Sequence, residues 1–393
     1  MAQSGRRIVV VGGGSVTWTP RLMCDFLLAP DLADSTFVLF DVDGEAAQLA
    51  TAFCSALARS LGVGATFLPS TERERALEGA DAVVVAVAVG GLDAMAHDLE
   101  IPEQHRIYHT VGDTAGPGGW SRLLRNFDAF CELGHAIDQL APQAIVLNYT
   151  NPLAMLTSVL ARTTKAPVVG LCHGVYESRD FLASVYGTPK DAVSMRYGGL
   201  NHFFWVPEAK VGGVDAVADL RSRLATQTLD ELEPARAADP LGFHSDRAVA
   251  TELFRLTGVL PYIGDRHTCE FLPWYLTDPA RMARYRLQRT SIEQRWARRR
   301  ELTDEVRRVT ADGIPSEWAH ASGEAAAEIV RAYTGGGDFV DIGNLPNEGQ
   351  IENLPRGVPV ETAVRFDQNG VAPFAFGSLP DPVVPLVEPV ARA

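Results

Sequence analysis

Two pairs of residues, Cys172-His173 and Asn201-His202, carry the side chains of this sequence best suited to chemistry. Thiolate sulfur and imidazole nitrogen are ligands that divalent transition metals favour. Cys172 follows the apolar run 168–171, and ligands of α/β folds bind at the carboxyl ends of such strands. Taken alone, Cys172 fits a small buried residue and His202 a hydrogen-bonded core histidine. Their expected position at one edge of a sheet favours a metal site.

The chain opens with a pattern typical of nucleotide binding. The apolar run 7–12 leads into Gly12-Gly13-Gly14, where Gly12 permits a tight turn and Gly14 permits the close approach of a pyrophosphate. A glycine triplet also fits an ordinary strand-to-helix turn, but Asp41 ends the next apolar run and is placed to accept hydrogen bonds from a ribose diol. Together they favour NAD over a 2′-phosphorylated nucleotide, with Asp43 as the alternative carboxylate.

Two further segments carry groups that could reach the same edge. The stretch 112–119 is rich in glycine and contains Asp113, and it is either an active-site loop before a helix near Ser121 or a flexible surface loop. The segment 260–267 gathers titratable side chains around a glycine, so that it either brings a base to the nicotinamide or forms a solvated connection. Asn151, which precedes Pro152, either faces a ligand or caps the following helix.

The order of strand-like and helical stretches predicts the fold. Apolar runs occur at 7–12, 36–41, 64–69, 82–89, 144–149 and 167–171, and helical stretches occur at 20–28, 44–61, 121–140 and 152–163. This alternation is typical of an α/β, Rossmann-type doubly wound parallel sheet. Later come a strand pair around Gly198-Gly199, a helical stretch from 279 to 311, and strands at 338–342 and 358–366. We expect an NAD-binding domain at 1–190 and an α+β domain at 191–393.

Composition limits the possible partners of the chain. Its 393 residues carry a formal net charge of −14, which argues against nucleic-acid binding and against an electrostatic attachment to anionic membranes. The apolar run 82–89 is far shorter than the roughly twenty residues of a membrane span. Five widely spaced cysteines do not indicate a disulfide framework. We therefore expect a cytoplasmic protein that acts on small molecules.

Several motifs in a fixed order resemble the NAD- and manganese-dependent glycosidases of glycoside hydrolase family 4. The motifs lie at 11–15, 148–152, 170–174, 199–202, 264–265 and 344–355. The resemblance therefore covers nearly the whole chain. The Cys-His-Gly sequence at 172–174 is similar to that of members acting on unphosphorylated α-glycosides, which implies an α-glucoside, an α-galactoside, or an α-glucuronide or galacturonide as substrate. We expect a homodimer or a homotetramer.

The resemblance also implies a mechanism and a role for each site residue. NAD⁺ takes a hydride from C3 of the sugar, a base removes the acidified C2 proton, the aglycone is eliminated, water adds, and the hydride returns. Cys172 and His202 are expected to bind Mn²⁺ or a related cation that stabilises the developing charge. The base is Asp265, with Tyr262 as second candidate, and Asp113 is the acid or binds a hydroxyl.

The remaining roles complete the expected site. The cofactor is expected to contact Gly12, Gly14, Ser15, Val16, Asp41 and Asn148. The sugar is expected to contact Asn151, His173, Asn201 and Arg266, and a substrate carboxylate would be met by Arg266 and His267 unless these two orient Asp265.

Two other functions stay open on the sequence. An NAD-dependent 2-hydroxy-acid dehydrogenase has a related fold and would accumulate NADH, although the sequence has no evident His–Asp dyad with a paired substrate arginine. A catalytically silent sugar- or NAD-binding protein would bind NAD without exchanging the C2 proton of a sugar.

Overall fold

The computed structural model describes residues 5–233 and 246–393. The strands in these ranges are β1 (Arg7–Val11), β2 (Thr36–Phe40), β3 (Thr66–Ser70), β4 (Ala82–Val85), β5 (Ile145–Asn148), β6 (Val168–Gly170), β7 (Val193–Leu200), β8 (Phe203–Val211), β9 (Val214–Asp215), β10 (Leu260–Pro261), β11 (Phe339–Pro346), β12 (Pro359–Asp367) and β13 (Gly370–Pro373). The α-helices are α1 (Thr19–Leu28), α2 (Gly44–Leu61), α3 (Arg73–Leu77), α4 (Gly91–Gln104), α5 (Gly116–Leu140), α6 (Leu153–Thr163), α7 (Gly174–Tyr186), α8 (Ala216–Arg223), α9 (Leu229–Leu232), α10 (Ala248–Thr257), α11 (Asp265–Phe271), α12 (Pro279–Arg284), α13 (Ile292–Asp312), α14 (Ala326–Tyr333) and α15 (Val384–Arg392). None of these helices is both long enough and apolar enough to cross a bilayer.

The first six strands form the parallel part of the sheet, in the order β3-β2-β1-β4-β5-β6. Strands β4 and β5 are buried along their whole length, which explains their uninterrupted apolar sequence. The strand order reverses direction between β1 and β4, and such a switch point opens a crevice for ligands at the carboxyl edge. The predicted Rossmann-type doubly wound sheet is confirmed.

The strands of the second half continue this sheet and do not form a separate one. Strand β11 pairs antiparallel with β6 through Asn344 and Gly170, and β12 pairs with β7 through Glu361 and Gly199. The main path of the sheet is β10-β8-β7-β12-β11-β6-β5-β4-β1-β2-β3, with β13 paired to β12 and β9 paired to β8. The second half is therefore α+β as predicted, but its strands share one sheet with the first half, and the domain boundary near residue 190 remains a prediction.

The strand pair of the second half turns at a different place from the one predicted. The turn lies at Asn201-His202, while Gly198-Gly199 lies inside β7. These glycines allow close packing, since a Cβ atom on Gly198 would lie 2.7 Å from the ring of Phe376, and one on Gly199 would lie 2.6 Å from Cα of Phe204. The glycines therefore allow neighbouring residues to pack closely against β7. The turn itself carries His202, the histidine of the expected metal site.

Two helix boundaries also differ from the sequence prediction. Helix α5 begins at Gly116 with Pro117 in its first turn, so only the first part of the glycine-rich stretch is loop. The long helical stretch expected from 279 to 311 is two helices, α12 and α13. The second of them begins where Ser291 and Gln294 form a capping box, which satisfies backbone N–H groups and fixes a new helix start.

Candidate active site

Cys172 and His202 lie side by side at the edge of the sheet. The Sγ atom of Cys172 is 3.0 Å from Nε2 of His202. Cys172 comes two residues after β6 ends, and His202 occupies the turn between β7 and β8 with φ of 58°, a backbone conformation uncommon for residues other than glycine. The structure thus joins the two side chains that the sequence placed at one edge.

The chemistry of this pair fits a divalent transition metal. Burial, with a contribution from Glu361, raises the pKa of the Cys172 thiol, and burial, with a contribution from His267, lowers the pKa of His202. Both groups are therefore neutral without a cation, and a bound metal would favour the thiolate. Within 5–233 and 246–393, no group of three or more His, Cys, Asp or Glu side chains is arranged to hold a metal. A cation on this pair would take its other ligands from substrate and water.

Thr114 fixes the proton on the His202 ring. The Thr114 hydroxyl donates to Oδ1 of Asp113 over 2.8 Å, and its oxygen lies 3.4 Å from Nδ1 of His202. Because the one hydroxyl proton goes to Asp113, the Thr114 oxygen acts as acceptor toward Nδ1–H. This tautomer directs the free lone pair of Nε2 toward Cys172, as a metal-binding histidine requires. Sequence reasoning did not identify Thr114.

Asp113 lies beside the pair and is half-buried. Burial on its own would raise the pKa of Asp113, but His267, Arg122 and His202 outweigh it and hold the pKa below its ordinary value. An ionised carboxylate accepts a hydrogen bond from a sugar hydroxyl and has no proton to donate. Of the two roles expected for Asp113, the geometry therefore favours the binding of a hydroxyl.

Two aromatic rings flank His202. The His267 ring stacks on it with centroids 3.8 Å apart, and the Tyr262 ring lies 5.9 Å away at an angle of 18°. The Tyr262 hydroxyl donates to Oε2 of Glu177 over 2.8 Å. Burial raises the pKa of the Tyr262 phenol well above its usual value, and Glu177 adds to the effect. The structure thus places Tyr262 beside the pair, with its hydroxyl hydrogen-bonded to Glu177.

Asp265 caps a helix, which does not support its predicted role as base. Its two carboxylate oxygens accept hydrogen bonds from the backbone N–H groups of Val249 and Ala250 at 2.9 and 3.0 Å. These groups belong to the first turn of α10, and the Asp265 side chain is fully buried. Burial raises the pKa of Asp265 to about 7, against the hydrogen bonds that favour its ionised form.

Two other residues predicted to contact ligands have their side chains hydrogen-bonded within the protein. The Arg266 guanidinium donates to the carbonyl of Thr110 over 3.0 Å and to the hydroxyl of Thr290 over 2.9 Å. The Asn148 side chain accepts a hydrogen bond from the backbone N–H of Thr150 over 2.9 Å. Its amide N–H donates to the hydroxyl of Thr157 over 3.1 Å. Both side chains therefore order loops, and the structure does not support a direct contact of either with sugar or cofactor.

The predicted sugar-binding residues lie around the same edge. His173 Nε2 is 2.8 Å from Oε1 of the buried Glu324. Burial would lower the pKa of His173, but Glu324 outweighs it and raises the pKa. The backbone carbonyl of Asn151 accepts from Nε of Arg122 over 2.8 Å. Asn201 is buried beside Cys172.

Two buried carboxylates near the site, Glu361 and Glu324, and the exposed Glu177 were not identified by sequence reasoning. Glu361 is fully buried, accepts from Nδ2 of Asn344 over 3.0 Å, and lies close to Cys172. Burial raises the pKa of Glu361 to about 7. A signal was present, because Glu361 is a carboxylate within the otherwise apolar start of β12. Glu177 gave no such signal, since it lies among the polar residues of 177–180.

The glycine turn has the geometry expected of a nucleotide site. Gly12 has φ of +87°, and a Cβ atom there would lie 2.3 Å from the carbonyl of Ala86. The N–H of Gly14 donates to Oδ2 of Asp41 over 3.0 Å, so the carboxylate holds the turn and keeps lone pairs for a ribose. The Ser15 hydroxyl accepts from the backbone of the residue before α1 over 3.1 Å. Val16 packs against the core.

Comparisons with known proteins agree with this geometry. The model of the family 4 glycosyl hydrolases matches residues 7–188, and the model of the C-terminal domain of that family matches residues 197–393. The chain is similar to the alpha-galacturonidase of Bacillus subtilis (strain 168), with 34% identity over 95% of this chain and 84% of that protein.

Two solved structures are similar over nearly the whole chain. The crystal structure of lplD from Bacillus subtilis superposes with a TM-score of 0.88 and 32% identity, covering 99% of this chain and 90% of that one. The 6-phospho-beta-glucosidase of Thermotoga maritima, determined with manganese, NAD⁺ and glucose-6-phosphate, gives a TM-score of 0.77 at 22% identity, covering 98% and 87%. The second likeness is one of fold.

Replacing Asp265 by asparagine should destabilise the protein. The amide can accept from only one of the two N–H groups of α10, and its own N–H₂ opposes the other. We expect the free energy of unfolding to fall by about 1–3 kcal/mol, measured by denaturant titration. Asp278→Asn, at the exposed start of α12 where one N–H is capped, serves as the control and should cost less. Equal stability of D265N and the parent protein would contradict the capping role.

Proposed function

Because the chain belongs to the family 4 glycosyl hydrolases, we propose that it hydrolyses the α-glycosidic bond of an unphosphorylated galacturonide. The observation that carries this proposal is the 3.0 Å contact between Cys172 and His202 at the carboxyl edge of the sheet. The Cys-His-Gly motif indicates a substrate without phosphate. The similarity to an alpha-galacturonidase at 34% identity supports a sugar acid.

We propose NAD and Mn²⁺ as cofactors. The Gly12 turn and the Asp41 carboxylate would hold the dinucleotide, and Cys172 and His202 would hold the metal. When bound, the two would supply reversible oxidation of the sugar and electrophilic stabilisation of its C2 and C3 oxygens. The presence of manganese and NAD⁺ in the Thermotoga maritima structure supports this pairing.

The side chains around the pair have separable tasks. Tyr262 is the base in place of Asp265: its oxygen takes the proton from C2 as its own phenolic proton passes along the 2.8 Å hydrogen bond to Glu177, so that no free phenolate forms. Asp113 accepts a hydrogen bond from a sugar hydroxyl. His173 is held at Nε2 by Glu324 and presents its other ring nitrogen to the sugar. The proton thus moves between named atoms, from C2 to the Tyr262 oxygen and from the Tyr262 hydroxyl to Glu177.

The protein is further proposed to be a cytoplasmic homodimer or homotetramer. All five cysteines are free, as expected in a reducing compartment. Trp120, Leu124 and Phe127 are 47%, 65% and 44% exposed, and their spacing places them on one face of α5. An apolar helix face of this kind is suited to contact with a second copy of the chain.

The activity itself is tested with an aryl α-galacturonide, NAD⁺, Mn²⁺ and a thiol reductant. We expect release of the aglycone without net NADH formation, and loss of activity on addition of a chelator. Cys172→Ser should reduce turnover by more than about 100-fold, because loss of a ligand exceeds the effect of its outer partners. Accumulation of NADH would instead identify a dehydrogenase. Tight NAD binding without turnover or C2-proton exchange would identify a binding protein.

Exchange of the C2 proton in deuterated water tests the base. Tyr262→Phe should slow this exchange by about 10²–10⁴-fold, the range for loss of a general base, with little change in NAD binding. Folded Asp265→Asn protein should retain exchange. NMR measures both rates. The opposite result, with exchange lost only in D265N, would restore Asp265 as the base.

A charge on the apolar face of α5 tests the assembly. Leu124→Glu should lower the molecular mass in solution to that of a smaller oligomer or a monomer, because the carboxylate would be buried unpaired in the contact. Light scattering coupled to size-exclusion chromatography measures the mass. Gln139→Glu, exposed near the end of the same helix, is the matched control. An unchanged mass in L124E would exclude this face from the interface.

A further inference from the structure

Arg295, near the start of α13, has an unused hydrogen-bonding edge. Its Nε and Nη2 atoms are buried and have no hydrogen-bond partner within the described part of the chain. Leaving charged donors buried and unsatisfied is costly. An arginine kept in this state is typical of a site that receives an anion from outside.

The two unpaired atoms define the shape of that anion. Nε and Nη2 of a guanidinium lie on one edge and donate in parallel, which matches the two oxygens of a carboxylate. Burial lowers the pKa of Arg295, while Asp113 opposes this effect. The side chain remains a cation in any case, because a guanidinium does not lose its proton in proteins.

The electrostatic neighbours of Arg295 place it at the candidate active site. Its positive charge lowers the pKa of His267, whose ring stacks on the His202 ring with centroids 3.8 Å apart, and the charge of Asp113 raises the pKa of Arg295. Arg122, which is held by the backbone of Asn151, adds a second positive charge. None of its described electrostatic neighbours belongs to the glycine turn 12–15, so a substrate anion explains Arg295 better than a cofactor phosphate.

The two nearby carboxylates are each held through one oxygen, and Oε2 of Glu270 is buried without a hydrogen-bond partner in the described part of the chain. One oxygen of Glu270 accepts from the backbone N–H groups of Thr110, Val111 and Gly112 at 2.9, 2.7 and 2.8 Å. Asp113 accepts from the Thr114 hydroxyl over 2.8 Å. Neither carboxylate forms an ion pair with Arg295, although both raise the pKa of its guanidinium. The arginine predicted from sequence to meet a substrate carboxylate, Arg266, is turned inward.

We propose that Arg295 binds the C6 carboxylate of the sugar through its Nε–Nη2 edge and thereby sets the preference for a uronide over a neutral hexoside. This assignment rests on the proposed function, because it identifies the anion with part of the substrate. Arg122 supports the carboxylate electrostatically. Asp113 accepts a hydrogen bond from a sugar hydroxyl instead of pairing with the carboxylate.

The test compares two ligands that differ at C6 alone. Galacturonic acid and galactose are titrated calorimetrically into the full-length protein with Mn²⁺ and NAD⁺, and the Kd of NAD is measured separately. Arg295→Gln should weaken galacturonate by at least about tenfold, as expected for loss of charged hydrogen bonds, and leave galactose within about twofold. Arg295→Lys should fall between, since it keeps the charge but loses the fork. Arg300→Gln, exposed on the same helix, is the matched control.

The outcomes separate this assignment from the proposed function. Equal weakening of both sugars by R295Q, or a rise in the Kd of NAD instead, would overturn it, as would a parent protein that binds both sugars equally. If the parent prefers galacturonate through Arg295 but releases no aglycone, the proposed hydrolysis fails and the carboxylate site stands. If it hydrolyses galacturonides and R295Q retains the uronide preference, the hydrolysis stands and the carboxylate site fails.

Discussion

The contact between Cys172 and His202 depends on the register of one continuous sheet. Gly170 of β6 is paired with Asn344 of β11, and Glu361 of β12 is paired with Gly199 of β7. These pairs come two or three residues before the cysteine and the histidine, so the four strands fix the distance between them. A shift by one residue in any of these strands would reverse the side-chain directions and separate the two groups.

Polar side chains buried between these strands hold that register. The Asn344 amide donates to the Gly170 carbonyl at 3.3 Å and to Glu361 at 3.0 Å, which ties β6, β11 and β12 together. Buried polar groups of this kind stabilise one arrangement of strands because any other leaves them unsatisfied. Outside these strands, the buried Glu324 and the exposed Glu177 hydrogen-bond to His173 and Tyr262. The buried amide of β11 and carboxylate of β12 therefore hold the strands that carry the site.

The recognition of charge follows from the same arrangement. Asp265 and Arg266 are consecutive in sequence, but both are directed into the protein, one to the start of α10 and the other to the loop at Thr110. Arg295, whose Nε and Nη2 have no partner among the described residues, comes from a helix whose start is set by the capping box at Ser291. Helix capping thus decides which charged groups line the cleft and which support its walls.

The sequence by itself determined the parallel sheet, the glycine turn with Asp41, and the position of Cys172 at a strand end, because apolar periodicity and strand ends are local signals. It also supplied the list from which Tyr262 and Asp113 come. Only the tertiary structure showed Asp265 at the start of α10 and Tyr262 beside His202, placed the hairpin turn at His202, and joined both halves in one sheet. These outcomes depend on contacts between residues far apart in the chain, where burial and hydrogen-bond satisfaction outweigh local sequence preference.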